Sequence, residues 1–276
     1  MCAQHKITDL TLVPPQVISL LAHPLPSVQK QQLLKSVKLA YGGAAPLDAV
    51  TQSKLQKLLP QGSPFTQVLG MTEASCFASL LPYPEGDDTG AVGRFLPSLD
   101  VKLLDDDGRD MEDYSQAGEL ALRGPTITEG YVGVPRERDF DAEGYFRTGD
   151  VLYQDQSSGL WYIIDRKKEM IKVSGFQVAP KELEGVLLEH PGIADAAVIG
   201  VKGDAGSELP RAYVVVKENV NLSEADVKRW IEGKLARYKW LNGGVEFLES
   251  VPKSASGKIL KRVLREKFGK ERASKL

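Results

Sequence analysis

Near its C-terminus the chain carries Pro252-Lys253-Ser254-Ala255-Ser256-Gly257-Lys258, small residues that form a loop and present one lysine. A lysine held this way is a compact point charge that can be brought to a phosphate oxygen and to a carboxylate attacking it. The plainer reading is a solvated lysine beside a basic tail, since residues 258–275 hold eight basic and two acidic side chains. Charge gathers again between Asp165 and Gln177, where Lys167, Lys168 and Lys172 precede Gly175. An exposed polar connector would have the same composition. Elsewhere, oxygen ligands follow apolar runs. In Gly70-Met71-Thr72-Glu73-Ala74 a hydroxyl stands beside a carboxylate, a pair suited to a phosphate oxygen and a magnesium ion, or to capping a helix. In Tyr145-Phe146-Arg147-Thr148-Gly149-Asp150 a carboxylate at a tight turn can accept both hydroxyls of a ribose, or simply close the turn. Gly42-Gly43-Ala44-Ala45-Pro46 would let backbone approach a flat ring and bond a purine edge, or would only mark a turn.

These residues need elements to position them. Residues 9–22 read as a helix and Val37–Tyr41 as a buried strand closed by Gly42-Gly43. Leu47–Leu59 reads as a helix stopped by Pro60, and Phe65–Leu69 as a strand broken at Gly70. That alternation predicts parallel pairing, with loops gathered at the carboxyl ends of the strands. From about Gly90 to Asp165, apolar runs at Val101–Leu104, Glu119–Leu122 and Leu160–Ile164 lie between turn residues, among them Asp106-Asp107-Gly108. They predict antiparallel hairpins forming a small barrel. Beyond Lys168 comes a compact α+β unit. Its helices run from Pro180 to about His190 and from a cap at Ser223 to about Tyr238. Its strands are Ala196–Val201, Ala212–Val216 and Val245–Leu248. A last helix carries Ile259, Leu260, Val263, Leu264 and Phe268 as its apolar stripe.

Composition sets outer bounds. With 276 residues, 42% hydrophobic and 26% charged, the chain has room for about two globular domains. A net charge of −2 gives no overall pull toward nucleic acid or anionic lipid. Cys2 and Cys76 cannot build a disulfide framework, and His5, His23 and His190 lack metal-ligand spacing. No apolar run approaches the roughly 18 residues of a membrane span. The terminal Ser274-Lys275-Leu276 reads as a peroxisomal import address, which implies a peroxisomal protein and an import receptor as partner.

Taken in order, the segments quoted above resemble the adenylate-forming acyl-CoA ligases, the AMP-dependent synthetases and ligases that include 4-coumarate–CoA ligases and beetle luciferases. The resemblance runs from about Ile7 to Arg262. It implies the C-terminal part of a large AMP-binding domain at 1–166, with an α/β remnant at about 1–88 and a barrel-like subdomain at about 89–166. A small mobile AMP-binding C-terminal domain at 167–276 would follow. The implied reaction joins a carboxylic acid, of arylpropanoid or fatty type, to coenzyme A through an acyl-adenylate, using ATP and magnesium and releasing AMP and diphosphate.

Residue by residue, the resemblance puts Gly43, Ala44 and Ala45 along the adenine pocket, with Leu69 where relatives stack an aromatic ring. It puts Thr72 on phosphate, Glu73 on magnesium, Asp150 on the ribose, and Arg166 and Gln177 near the nucleotide. Lys168 falls at the interdomain hinge. Lys172, Ser174 and Gly175 fall on the loop facing coenzyme A, Ser174 standing where many relatives carry a lysine. The resemblance makes Lys258 the adenylation lysine, which with Lys172, Thr72 and Glu73 would make up the catalytic set. Leu39, Ala40, Val68, Leu69, Ser75, Cys76 and Phe77 would line half of the acyl pocket. Full-length relatives also carry a Ser/Thr/Gly-rich phosphate loop ending in Pro-Lys-Gly, which this sequence lacks. The resemblance therefore leaves two expectations, an acyl-CoA ligase or a catalytically incomplete homologue that binds AMP or acyl-AMP or acts only through protein contacts.

Overall fold

The computed structural model describes residues 2–45, 47, 49–203, 207–254 and 257–273. The chain divides into two compact units, Met1–Ile163 and Ile164–Leu276. Among the described residues no helix is long and apolar enough to cross a membrane.

After a short helix, Cys2–His5, the first unit has three parallel strands, Asp9–Leu12, Leu39–Gly42 and Phe65–Gln67, hydrogen-bonded in that order. The single helix expected over 9–22 is instead a strand followed by a helix, Pro14–Ala22. Pro14 decides this. The residue before a proline is driven out of the helical region, and Val13 is extended at φ −104°, ψ 155°. Proline itself fits the first helical turn, so the helix starts there. Helices Ser27–Leu34 and Ala49–Gln56 follow, the latter shorter than expected because Leu58 and Leu59 bond back in three-residue turns to Leu55 and Gln56. Val17, Leu34, Ala40, Leu55 and Phe65 share one buried cluster.

The strand expected over 65–69 is two strands in different sheets. Leu69–Met71 begins an antiparallel sheet with Cys76–Leu80 and Arg94–Phe95. Four antiparallel strands come next, in the order Trp161–Arg166, Phe146–Gln154, Gly118–Arg123, Asp100–Leu104. The expected barrel is not closed: both antiparallel sheets are open among the described residues. Barrel diameter grows with strand number, and so few strands do not bring their own edges together. Leu103, Leu120, Leu122 and Leu152, all fully buried, fill the core beneath.

In the second unit, strands Ile193–Lys202 and Glu208–Val216 pair antiparallel, and Val245–Phe247 joins parallel to the latter. The run Ile-Ala-Asp-Ala-Ala-Val-Ile-Gly-Val is nearly continuous in apolar residues because both faces are covered. Successive side chains point to opposite faces. Ala196 and Val198 join a core with Leu183, Leu187, Val227 and Ile231 from helices Pro180–Leu188 and Glu224–Glu232. Ala197, Ile199 and Val201 instead meet Leu264 of helix Lys261–Ala273. Ser223 and Asp226 form a reciprocal capping box as the sequence suggests, but that helix stops at Gly233 rather than near Tyr238. The stripe expected on the last helix is also narrower. Ile259 packs but precedes the helix, in a bridge to Lys253, and Leu260 and Val263 are 40% and 39% exposed, so within the helix Leu264 and Phe268 pack.

Candidate functional site

The candidate residues fall into two sets, one in each unit. In the first unit, the strand ends Gly42 and Gln67 release their chains on the same edge of the parallel sheet. The Gly43 amide donates to the Leu12 carbonyl at 3.1 Å, and the Val68 amide to the Gly42 carbonyl at 2.9 Å. Glycine is required at 42 because a Cβ there would lie 2.5 Å from the Phe65 ring. Ala44, just beyond the sheet, takes a left-handed φ of 71°. The Gln67 side chain fixes the far end of this loop, accepting from the Leu47 amide at 2.7 Å and donating to its carbonyl at 2.9 Å. Pro46 lies outside the described residues.

The expected acyl-pocket residues do not share one surface. Neighbours along a strand face opposite ways. Ala40 belongs to the core with Val17 and Phe65, so it cannot line a pocket with Leu39. Tyr41, on the Leu39 side, meets the Phe77 ring at 6.1 Å between centroids. Val68 is buried beside Gly43, and Leu69 belongs to a different core. Ser75 and Cys76 are exposed and both have positive φ, 56° and 108°.

Thr72, Glu73 and Ala74 form one turn of 3₁₀ helix. Thr72 is exposed and Glu73 half-buried. The segment after Gly124 braces this turn. Thr128 donates its amide to the Glu73 carbonyl at 2.8 Å, and Ser75 Oγ donates to the Thr126 carbonyl at 2.8 Å. The Tyr131 hydroxyl donates to Glu73 Oε1. That hydrogen bond, with partial burial and the carboxylate charge, pushes the Tyr131 phenol up to about 12, so it remains a donor at neutral pH.

Asp150 is not at a tight turn between elements. It lies within the nine-residue strand Phe146–Gln154, at a bulge. Pairing jumps from Val151–Glu119 to Arg147–Ala121, so Thr148, Gly149 and Asp150 stand against Leu120 alone. Thr148 Oγ1 donates to the Leu120 carbonyl at 2.9 Å and accepts the Asp150 amide at 3.1 Å, locking the bulge. The Asp150 residue is only 6% exposed.

The second unit presents cations. Asp165, buried to 2% exposure, accepts the amides of Arg166 at 2.8 Å and Lys181 at 3.0 Å, so one carboxylate ties the segment at 165–166 to the first turn of helix Pro180–Leu188. Lys168 follows, exposed, on a single 3₁₀ turn. Strands Ile171–Val173 and Phe176–Val178 then form a hairpin whose two turn residues, Ser174 and Gly175, both have positive φ, 47° and 89°. Ile171, Val173 and Val178 point into the core while Lys172 and Gln177, directly paired across the hairpin, are both exposed. Residues expected to serve different ligands thus share one face. The hairpin is hooked to its unit by the Lys172 amide on Glu208 Oε2 at 2.9 Å and the Ser174 amide on Ser207 Oγ at 3.0 Å. Phe176 stacks on Tyr238 at 4.4 Å.

Lys258 is exposed and makes no ion pair among the described residues. Its carbonyl accepts the Ser254 amide at 2.9 Å, and its amide donates to Ser254 Oγ at 3.1 Å. Ala255, Ser256 and the terminal tripeptide Ser274, Lys275, Leu276 lie outside the described residues. The sequence reading missed Tyr131 and Asp165, and also Glu184 and Lys261, which form a buried pair in the second unit. Glu184 left a trace: it sits between Leu183 and Leu187 on a helix face that is otherwise apolar. The other three have no local signal.

Two family models match the chain, the AMP-binding enzyme over residues 1–132 and the AMP-binding enzyme C-terminal domain over 182–258. The chain belongs to the AMP-binding enzymes. It is 49% identical over 268 residues to phenylacetyl-CoA ligase epaB of Aspergillus niger, covering 96% of this chain and 49% of that protein. With acyl-CoA ligase azaF of Aspergillus niger it shares 50% identity over 265 residues, covering 95% of this chain and 50% of the relative. Among solved structures, ATP-bound MatB from Rhodopseudomonas palustris superposes with a TM-score of 0.84 at 30% identity, covering 97% of this chain and 52% of that one. This AMP-binding enzyme chain therefore spans about half the length of the curated relatives it matches.

Proposed function

We propose that this chain supplies the AMP-binding edge and the lysine-bearing C-terminal unit of an acyl-CoA ligase. The enzyme would convert a carboxylic acid to its acyl-adenylate with ATP, and then to a thioester with coenzyme A. The observation that carries this reading is the nearly buried Asp150, presented by a locked bulge in the unit that also holds the Thr72–Glu73 turn. A fixed carboxylate accepts the two ribose hydroxyls without having to be ordered on binding. Thr72 then donates to a phosphate oxygen, and the peptide groups of Gly43, Ala44 and Ala45 meet the adenine edge. With Leu69 buried in a core rather than offering a ring, the base is held by backbone polarity and not by stacking.

Glu73 fits a magnesium ion carried on the nucleotide. Tyr131 occupies Oε1 of this half-buried carboxylate, and magnesium is ordinarily bound by one or two carboxylates together with substrate phosphates. When bound, the ion offsets phosphate charge. Lys258 meets the charge that builds between the attacking carboxylate and the α-phosphate, while the exposed Lys172–Gly175 hairpin serves the thioester step.

The relatives named for phenylacetyl-CoA and acyl-CoA formation favour an aryl or other lipophilic acid, seated against Leu39, Val68, Phe77 and the exposed Ser75–Cys76 corner. The Ser-Lys-Leu terminus supports peroxisomal import, which a reporter fused ahead of residues 265–276 would test by losing its punctate localisation when Leu276 is removed. For the chemistry, the chain is mixed with ATP, magnesium, coenzyme A and a panel of phenylacetic, cinnamic and fatty acids. Pyrophosphate release followed by thioester formation is expected for at least one acid. Silence across the panel, with AMP failing to raise the melting temperature, would overturn the reading.

A further inference from the structure

We propose that Glu184 and Lys261 are positioning residues for Lys258, their ion pair fixing the root of the lysine loop so that the loop presents its charge in one place. The inference rests on the adenylation role given above to Lys258. Lys261 opens the last helix, three residues after Lys258, and its ammonium lies 3.3 Å from Glu184 Oε1 with both side chains only 10% exposed. The same Oε1 accepts the Val198 amide at 2.9 Å. One oxygen thus ties the helix start to the outer strand Ile193–Lys202. The other leg of the loop is tied to the same strand, since Lys253 Nζ donates to Asp195 Oδ2 at 2.6 Å. Between these anchors the legs hold each other through the Lys253–Ile259 bridge and the Leu260 amide on the Pro252 carbonyl at 2.8 Å.

Stability alone does not account for this pair. Burial pushes the Glu184 carboxyl upward, against the opposing pull of Lys261 and the Val198 amide. Holding a charge there carries a desolvation cost, and apolar replacements of a buried pair are often neutral or stabilising. What apolar side chains lack is direction. A leucine–methionine contact would hold the helix on the sheet yet let its first turn slide, whereas an ion pair sharing an oxygen with a strand amide fixes one register.

The test compares the wild-type chain with Glu184→Gln, Lys261→Arg and the double variant Glu184→Leu/Lys261→Met, by amide hydrogen exchange and thermal unfolding. The double variant is expected to unfold at a slightly lower temperature, because the buried Val198 amide loses its acceptor, while exchange across 252–263 speeds up about tenfold or more relative to the rest of the unit, and Lys261→Arg is expected to stay near wild type. Glu184→Gln should slow acyl-adenylate formation but not thioester formation from preformed acyl-adenylate. A double variant with native exchange across the loop, or one that fails to fold, overturns the proposal, because the pair is then dispensable or mere packing. The exchange arm needs no turnover. If the loop loosens while Lys258→Ala leaves adenylation untouched, the positioning stands and the adenylation role of Lys258 falls.

Discussion

The two units hold their candidate groups in opposite ways. In the first, acidic and hydroxyl groups are built into the backbone's own irregularities: the left-handed Ala44, the Thr72–Ala74 turn braced by Thr128 and Tyr131, and the bulge under Asp150. In the second, Lys168, Lys172 and Lys258 are exposed on short turns and hairpins, and the buried charges Asp165, Glu184 and Lys261 lie at the roots of those projections. The contrast separates two tasks. A binding surface gains from groups ordered before the ligand arrives, while a cation that must serve at one step gains from a solvated tip on a fixed stem.

Substitutions can break or sharpen that contrast. Lys258→Ala should have the largest effect, lowering adenylation by about 10²–10³-fold, the loss typical of one charge-stabilising donor, with AMP affinity unchanged. Equal losses in both assays would mean that the tip also binds. Asp150→Ala should weaken AMP by about 10–100-fold in calorimetry, the cost of hydrogen bonds to a charged acceptor, and leave exchange across 252–263 as in wild type. Tyr131→Phe should raise the magnesium concentration needed for half-maximal turnover by roughly three- to tenfold, because a partly exposed donor contributes less than a buried one. A null result would detach Glu73 from its brace.

The smallest effect concerns acid stability. Hydrogen bonds from Ser223, side chain and then backbone, and from Arg229 hold the Asp226 carboxyl down at about 2, against an ordinary value of 3.8. A depressed carboxyl adds stability that is complete above 3.8 and lost as pH falls through about 2. Unfolding midpoints recorded from pH 5 to 2 should therefore fall less steeply for Asp226→Asn than for wild type.

Much of the fold is legible wherever the local signal and the tertiary demand coincide. The parallel strands before Gly42 and Gln67, the helix opened by Pro180 and the Ser223 capping box all read directly from residue type and spacing. The failures share a cause. Residues 9–12 became a strand because Leu39–Gly42 offered a parallel partner and Pro14 barred a continuous helix, and only the second reason is written locally. The bulge at 148–150 depends on register against Leu120, which a single strand does not reveal. The Tyr131–Glu73 and Glu184–Lys261 pairs join residues 58 and 77 positions apart, beyond any periodicity. Ala40 was misplaced because a strand covered on both faces gives no alternation to read.

The Ser174–Gly175 corner bears on how this surface can diverge. With two turn residues of positive φ joining three-residue strands, every side chain's face is set by the count from the turn. One inserted or deleted residue there would slip the pairing by one, sending Lys172 and Gln177 inward and Ile171, Val173 and Val178 out to water. Descendants of this sequence are thus free to vary the chemistry of positions 172, 174 and 177, whereas the length of the segment is closed to change.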